Sequence, residues 1–195
     1  MDVQPISAPA AAHDSATASN WIIRHAGLVP RPGPVLDLAA GSGRHARYFK
    51  GLGYDITALD RDVSRMADLA TVPGGRDRIE VIEADLETGS GDWPLGDRTF
   101  AGIVVTNYLH RPILPRIAAA LGPGGGLIDE TFGAGNERFG KPSNPDFLLR
   151  PGELLRFAEA QGLTALGYFC GEVATPRKAM RQSVVARRPA GLRWN

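Results

Sequence analysis

The sequence predicts an α/β fold: a doubly wound, mostly parallel seven-stranded sheet with helices on both faces and an antiparallel C-terminal strand pair. Three observations predict it. Short apolar runs alternate with helix-period stretches from residue 35 to residue 131, the rhythm of a parallel sheet with crossover helices. The first run ends in a turn carrying Gly41 and Gly43, at the strand end where open α/β sheets bind ligands. The last two apolar runs are joined by a turn around Ala174-Thr175-Pro176, whereas a parallel crossover needs roughly a dozen residues or more.

Residues 1–14, rich in Ala and Pro and without periodicity, read as a flexible arm, with a single domain over 15–195. A helix from Ser15 places Trp21, Ile22, His25 and Ala26 at helical spacing and stops before Pro30. Val35–Ala39 is a buried strand, followed by the glycine turn and a helix with Ala46, Phe49 and Leu52, closed by Gly53. Ile56–Leu59 is a second strand ending at Asp60, Val63–Ala70 a short helix, and Ile79–Ala84 a third strand ending at Asp85. Phe100–Thr106 is a fourth strand, Arg111–Leu121 a helix stopped by Gly122-Pro123, and Gly126–Thr131 a fifth strand. Residues 133–150 form a long polar loop, Pro151–Gln161 a helix, and Leu163–Val173 with Arg181–Arg187 the closing pair.

Bulk properties exclude several classes. A net charge of +1 gives no field for nucleic acid. The basic end (Arg177, Lys178, Arg181, Arg187, Arg188, Arg193) reads as a solvated strand and tail. The lone Cys170 excludes internal disulfides and multi-cysteine metal sites, and its apolar setting predicts a buried small hydrophobe. His13, His25, His45 and His110 lack zinc-type spacing, so no metal is expected. No run approaches the ~20 apolar residues of a membrane span, and the N-terminus lacks a signal-peptide pattern, so a cytoplasmic location is expected.

Acids recur at successive strand ends. Asp60 lies about 20 residues beyond the glycine turn, where a carboxylate can take both hydroxyls of a ribose, and Asp85 ends the next strand. Singly, each is an ordinary turn or helix-cap aspartate; in series they point to one ligand. Gly41-Ser42-Gly43-Arg44-His45-Ala46 also fits the dinucleotide pattern G-x-G-x-x-G/A, leaving an NAD(P) oxidoreductase as an alternative. Against it, a charged Asp37 aimed at the loop would repel a pyrophosphate and attract an ammonium. No G-K-[ST] follows the glycines, which excludes a P-loop.

The ordered segments DLAAGSGR, ALDRD, EADL and LGPGG resemble the motifs of class I SAM-dependent methyltransferases, over most of residues 20–190. The resemblance is to small bacterial types, including the tellurite-resistance methyltransferases. It implies S-adenosyl-L-methionine (SAM) as cofactor. Asp37 and the loop of Ala39, Gly41 and Gly43 would then hold the methionine end, and Asp60 with Arg61 the ribose. Asp85 and the Leu86 backbone would meet the adenine, and Asn107 the sulfonium region. Ala39 stands where that family commonly has Gly. Tyr108 and His110 follow the fourth strand, where the resemblance places the acceptor. Both are catalytic candidates, His110 because imidazole titrates near neutrality; the alternative for His110 is a residue that packs or caps.

Glu130, Arg138 and Phe139 complete the candidate substrate residues, the last two on a loop long enough to act as a lid. The Asn/Asp-Pro-Pro-aromatic motif of amino-group methyltransferases acting on DNA or protein is absent. The resemblance to the small bacterial types implies a small-molecule acceptor, and neither nucleic acid nor membrane is expected as partner. A non-catalytic SAM-binding module is the other alternative.

Overall fold

The computed structural model describes residues 17–69, 79–88 and 93–191; the proposed N-terminal arm lies outside them. Seven strands form one sheet in the order β3-β2-β1-β4-β5-β7-β6. They are β1 (Val35–Leu38), β2 (Ile56–Asp60), β3 (Ile79–Glu83), β4 (Phe100–Thr106), β5 (Leu121–Phe132), β6 (Thr164–Val173) and β7 (Ala179–Arg187). The first five pair in parallel and β7 runs antiparallel to both β5 and β6, as the spacing of the last two runs requires.

Helices cover both faces, as expected. On one face α1 (Asn20–His25) and α2 (Arg44–Gly51) bury Ile22, Ala46 and Phe49 against Val35, Ala58, Val104, Ile128 and Val185. On the other, α3 (Leu114–Ala119) and α4 (Glu153–Ala160) bury Ile117, Leu154 and Ala158 against Leu36, Ile103, Leu127 and Val184. β1 is buried at all four positions, as a central parallel strand covered on both faces must be.

Several elements differ from the sequence reading. The first helix begins at Asn20 because Ser19 caps it, its hydroxyl accepting from Ile22 N–H at 3.4 Å. The helix expected over 63–70 is a single tight turn, Ser64–Met66. Two carboxylates compete with helical bonding there: Asp60 accepts from the Asp62 N–H and Asp62 from the Ser64 N–H, each at 3.0 Å. Buried Met66 and Leu69 anchor the turn.

The helix expected over 111–121 is split into a tight turn, Arg111–Ile113, and α3. Pro112 and Pro115 each sit in an initial turn, where a missing N–H costs nothing. The chain then enters β5 at Leu121, so Gly122-Pro123 lies in the strand.

Cys170 is exposed, contrary to expectation. Its apolar run is the edge strand β6, which has a neighbour on one side only and leaves Leu166 and Phe169 exposed as well. The basic C-terminal end is not simply a solvated tail either. Arg187 donates to the Leu28 carbonyl at 3.2 Å and Arg188 to that of Ala118, bonds that tie β7 and its exit to the helices. Lys178 pairs with Glu172 at 2.9 Å, and Arg181 is largely enclosed; Arg193 lies outside the described residues.

Candidate active site

The carboxyl ends of β1, β2, β3, β4 and β5 bring most of the predicted residues to one edge of the sheet. Ala39, Gly41 and Gly43 turn the chain from β1 into α2, all with left-handed backbone (φ 55, 61 and 74°). The family's usual glycine at position 39 thus has a physical reason, since left-handed backbone costs a residue with a Cβ roughly 1–2 kcal/mol. Asp60, ending β2, accepts the Gly41 N–H on Oδ2 at 2.7 Å. A Cβ at Gly41 would meet nothing within 4 Å, so open space adjoins the turn.

Asp37 sits beneath this turn. It is 2% exposed and accepts the Ala46 N–H at 2.8 Å, while its other oxygen has no hydrogen-bond partner. Burial raises its carboxyl to about 8. Burial thus works against the charge on Asp37 that the sequence argument assumed, and its visible task is to organise the start of α2. Beside it His45, 1% exposed, accepts the Ser19 N–H on Nε2 at 3.3 Å, which leaves Nδ1–H facing Thr106 Oγ1 at 3.3 Å. Burial pulls this imidazole down to about 3, so it is neutral.

Asp85 is exposed and caps its own turn, accepting the Glu87 N–H at 2.8 Å. Leu86 is half-buried against the core and Arg61 is exposed. Tyr108 lies on this side. Its hydroxyl is buried without a partner, and burial, with the nearby charges of Glu87, Asp85 and Asp60, pushes its ionisation far upward. A buried phenol normally finds a partner, which keeps Tyr108 among the candidate ligand contacts.

Asn107 is also left-handed (φ 56°), and its N–H donates to the Glu130 carbonyl at 2.9 Å. Its side-chain oxygen accepts from Arg181 Nη1. Glu130 is held by two hydroxyls, Ser19 Oγ at 2.9 Å and Ser183 Oγ at 3.2 Å. Arg181 stacks on Phe132, its Cζ 3.9 Å from the ring centroid, and burial lowers its guanidinium to about 10. Sequence reasoning missed Ser19, His45, Arg181 and Ser183 as site residues. The β5–β7 register, which faces Glu130 to Ser183 and Phe132 to Arg181, brings the β7 pair in, and nothing local announces it.

His110 is half-buried at the head of the Arg111–Ile113 turn, without a side-chain capping bond. The 133–150 segment, expected as a long polar loop and possible lid, carries short turns and tethers of its own. It contains tight turns at Asn136–Arg138 and Pro145–Phe147. Buried Asn136 donates to the Pro142 carbonyl at 2.9 Å and accepts the Met180 N–H at 3.1 Å. Arg138 and Lys178 each lie over the Phe139 ring, at 5.1 and 5.2 Å from its centroid, so the segment docks on the β6–β7 hairpin. Arg111 anchors the far end, binding Glu153 and the Asp146 and Leu148 carbonyls. Among the described residues no group of His, Cys, Asp or Glu is arranged to hold a metal ion.

Solved SAM-dependent methyltransferases share this architecture. A SAM-dependent methyltransferase of Methanosarcina mazei has the same fold at 14% identity, TM-score 0.66, covering 89% of this chain and 99% of that one. TehB of Haemophilus influenzae matches at 21% identity, TM-score 0.67, over 88% of this chain, which spans 62% of that protein. The Burkholderia thailandensis 1,6-didemethyltoxoflavin-N1-methyltransferase, solved with bound 1,6-didemethyltoxoflavin and S-adenosylhomocysteine, matches at 24% identity, TM-score 0.63, over 87% of this chain and 76% of that one. More particularly, residues 13–90, which carry the glycine turn, Asp60 and Asp85, match the family of the tellurite resistance protein TehB. No curated protein matches the sequence.

Proposed function

We propose that the chain is a SAM-dependent methyltransferase acting on a small molecule in the cytoplasm. The observation that carries this reading is the Gly41–Asp60 unit: a left-handed glycine turn bonded at 2.7 Å to the strand-end carboxylate, with open space beside it. The TehB match over the same residues supports it. The site fits SAM on its own terms. Asp60 has the chemistry for the ribose hydroxyls, Asp85 and the Leu86 backbone for the adenine amino group, and the orphaned Tyr108 hydroxyl supplies one further donor. Gly41 leaves room for the methionine end, with Arg44 three residues further along the same turn. Among the described residues no helix is long and apolar enough to cross a membrane.

SAM supplies a methyl group on a positively charged sulfur, which leaves to an acceptor nucleophile without a covalent enzyme intermediate. The chain's task is alignment and exclusion of water. Asn107, fixed by Arg181 and by the Glu130 carbonyl, positions the boundary between cofactor and acceptor. Glu130 faces the acceptor side and can take a proton from an acceptor N–H or O–H. Phe139 and Arg138, docked on the hairpin, wall that side.

Calorimetry with SAM, S-adenosylhomocysteine and NAD tests the reading. Binding of the first two and not the third is expected; NAD binding without a response to SAM overturns it in favour of an oxidoreductase. A labelled-methyl screen against a metabolite extract then separates an enzyme from a non-catalytic SAM-binding module.

A further inference from the structure

Arg181 is a largely enclosed cation without an ion pair among the described residues. Guanidinium groups out of water are normally matched by an anion. Its visible polar partner is the neutral Asn107 amide, which takes Nη1 and leaves Nε and Nη2 unengaged. The nearby carboxylate, Glu130, is bonded to Ser19 and Ser183 instead. Phe132 fixes the plane of the guanidinium by stacking. Around it the neighbouring charges are Arg177 and Arg44 against the single Glu130, so the local balance is positive.

Resting on the methyltransferase reading, we propose that the methyl acceptor carries a carboxylate seated on the free donors of Arg181, next to Asn107. A planar two-oxygen anion matches the guanidinium fork. A dianion such as phosphate fits less well, because the Glu130 carboxylate shares the site. The methionine carboxylate of SAM is the other source of the same chemistry. Three strand spacings, about 14 Å at ~4.8 Å each, separate β1 from β7. Arg44, beside Gly43 on α2, is the nearer cation for that end. The partly exposed Phe169 ring lies in register with Ser183 on the same face and offers an apolar wall for the body of an acceptor.

The test uses the full chain saturated with S-adenosylhomocysteine and titrated with benzoate, with inorganic phosphate in a parallel arm, followed by calorimetry. Saturable benzoate binding is expected, weakened about tenfold or more, roughly the worth of one charge-assisted contact, in Arg181→Met. S-adenosylhomocysteine affinity should fall much less than benzoate affinity, because Arg181 reaches the cofactor side only through Asn107. Arg181→Lys, which keeps the charge and loses the fork, should fall between the two and serves if Arg181→Met does not fold. Absent benzoate binding, or binding indifferent to both substitutions, overturns the proposal. So does a loss of S-adenosylhomocysteine affinity in place of benzoate affinity, which assigns Arg181 to the cofactor, and so does binding of phosphate alone. Failure of the wild-type chain to bind S-adenosylhomocysteine takes down the methyltransferase reading itself, and this proposal with it.

Discussion

The Gly41 N–H donates to Asp60 Oδ2 at 2.7 Å, so the turn after β1 and the end of β2 form one unit. Asp60→Ala removes both the proposed ribose acceptor and the tether of the turn. A hydrogen bond to a charged group is worth ~1.5–3 kcal/mol, about ten- to a hundredfold in affinity. Calorimetry with S-adenosylhomocysteine should show a loss of that size while circular dichroism stays native. Unchanged affinity in the folded variant removes Asp60 from the site.

The three left-handed residues of the turn should separate packing from binding. A Cβ on Gly43 would lie 2.6 Å from Leu69 Cδ1 and 3.0 Å from Met66 Sδ, whereas one on Gly41 enters open space. Gly43→Ala therefore adds an overpacking cost of about 1–3 kcal/mol to the backbone strain, and Gly41→Ala carries the strain alone. Thermal melts should show Gly43→Ala clearly less stable, while cofactor affinity falls in both. Ala39→Gly relieves strain at φ 55° and should raise stability by up to ~1 kcal/mol. Equal losses at 41 and 43 contradict the packing argument.

What the sequence made legible was local or periodic. Alternating apolar runs gave the parallel strands, and the short link at 174–176 gave the antiparallel pair. The glycine turn and the acids at 60 and 85 sit at strand ends, so reading strand boundaries was enough to bring them to one edge. Arg181 and Ser183 join Glu130 only through the β5–β7 register, a non-local pairing that no window of sequence contains. Cys170 failed for a related reason. The strand pattern located it, but whether a neighbour or a helix covers a position is decided by sheet order, which puts β6 at the edge and exposes the thiol.

Tyr108→Phe discriminates between a cofactor contact and a packing residue. The hydroxyl is buried without a partner, so deleting it should leave the melting temperature of the free protein unchanged or slightly higher. If the hydroxyl meets the cofactor, affinity for S-adenosylhomocysteine falls about five- to tenfold, the worth of one neutral hydrogen bond of ~1 kcal/mol. A lower melting temperature with unaltered affinity would make Tyr108 a structural residue.

Asp129 carries a pH dependence that belongs to the fold and not to the site. It stands on β5 between Val105 and Val184, on the face covered by α3 and α4, opposite to Glu130. One of its oxygens has no partner, and burial, reinforced by the Glu130 charge, raises its carboxyl to about 8 in the folded chain. Unfolded, the same group titrates near ~3.9. Between those values the unfolded chain has released a proton that the folded chain keeps. The associated stability is therefore fully present below about pH 4 and is lost as the pH rises towards 8. Asp37 titrates in the same direction, and His45, lowered to about 3, acts oppositely, favouring the folded state as the pH climbs to about 6.5. Asp129→Asn removes one of these contributions without touching the cleft. Its melting temperature should match that of the wild type near pH 3.5 and exceed it at pH 8 by about 2–4 °C per kcal/mol recovered. The difference must grow steadily across that interval; a constant offset would mean that Asp129 ionises alike in both states, against the burial that surrounds it.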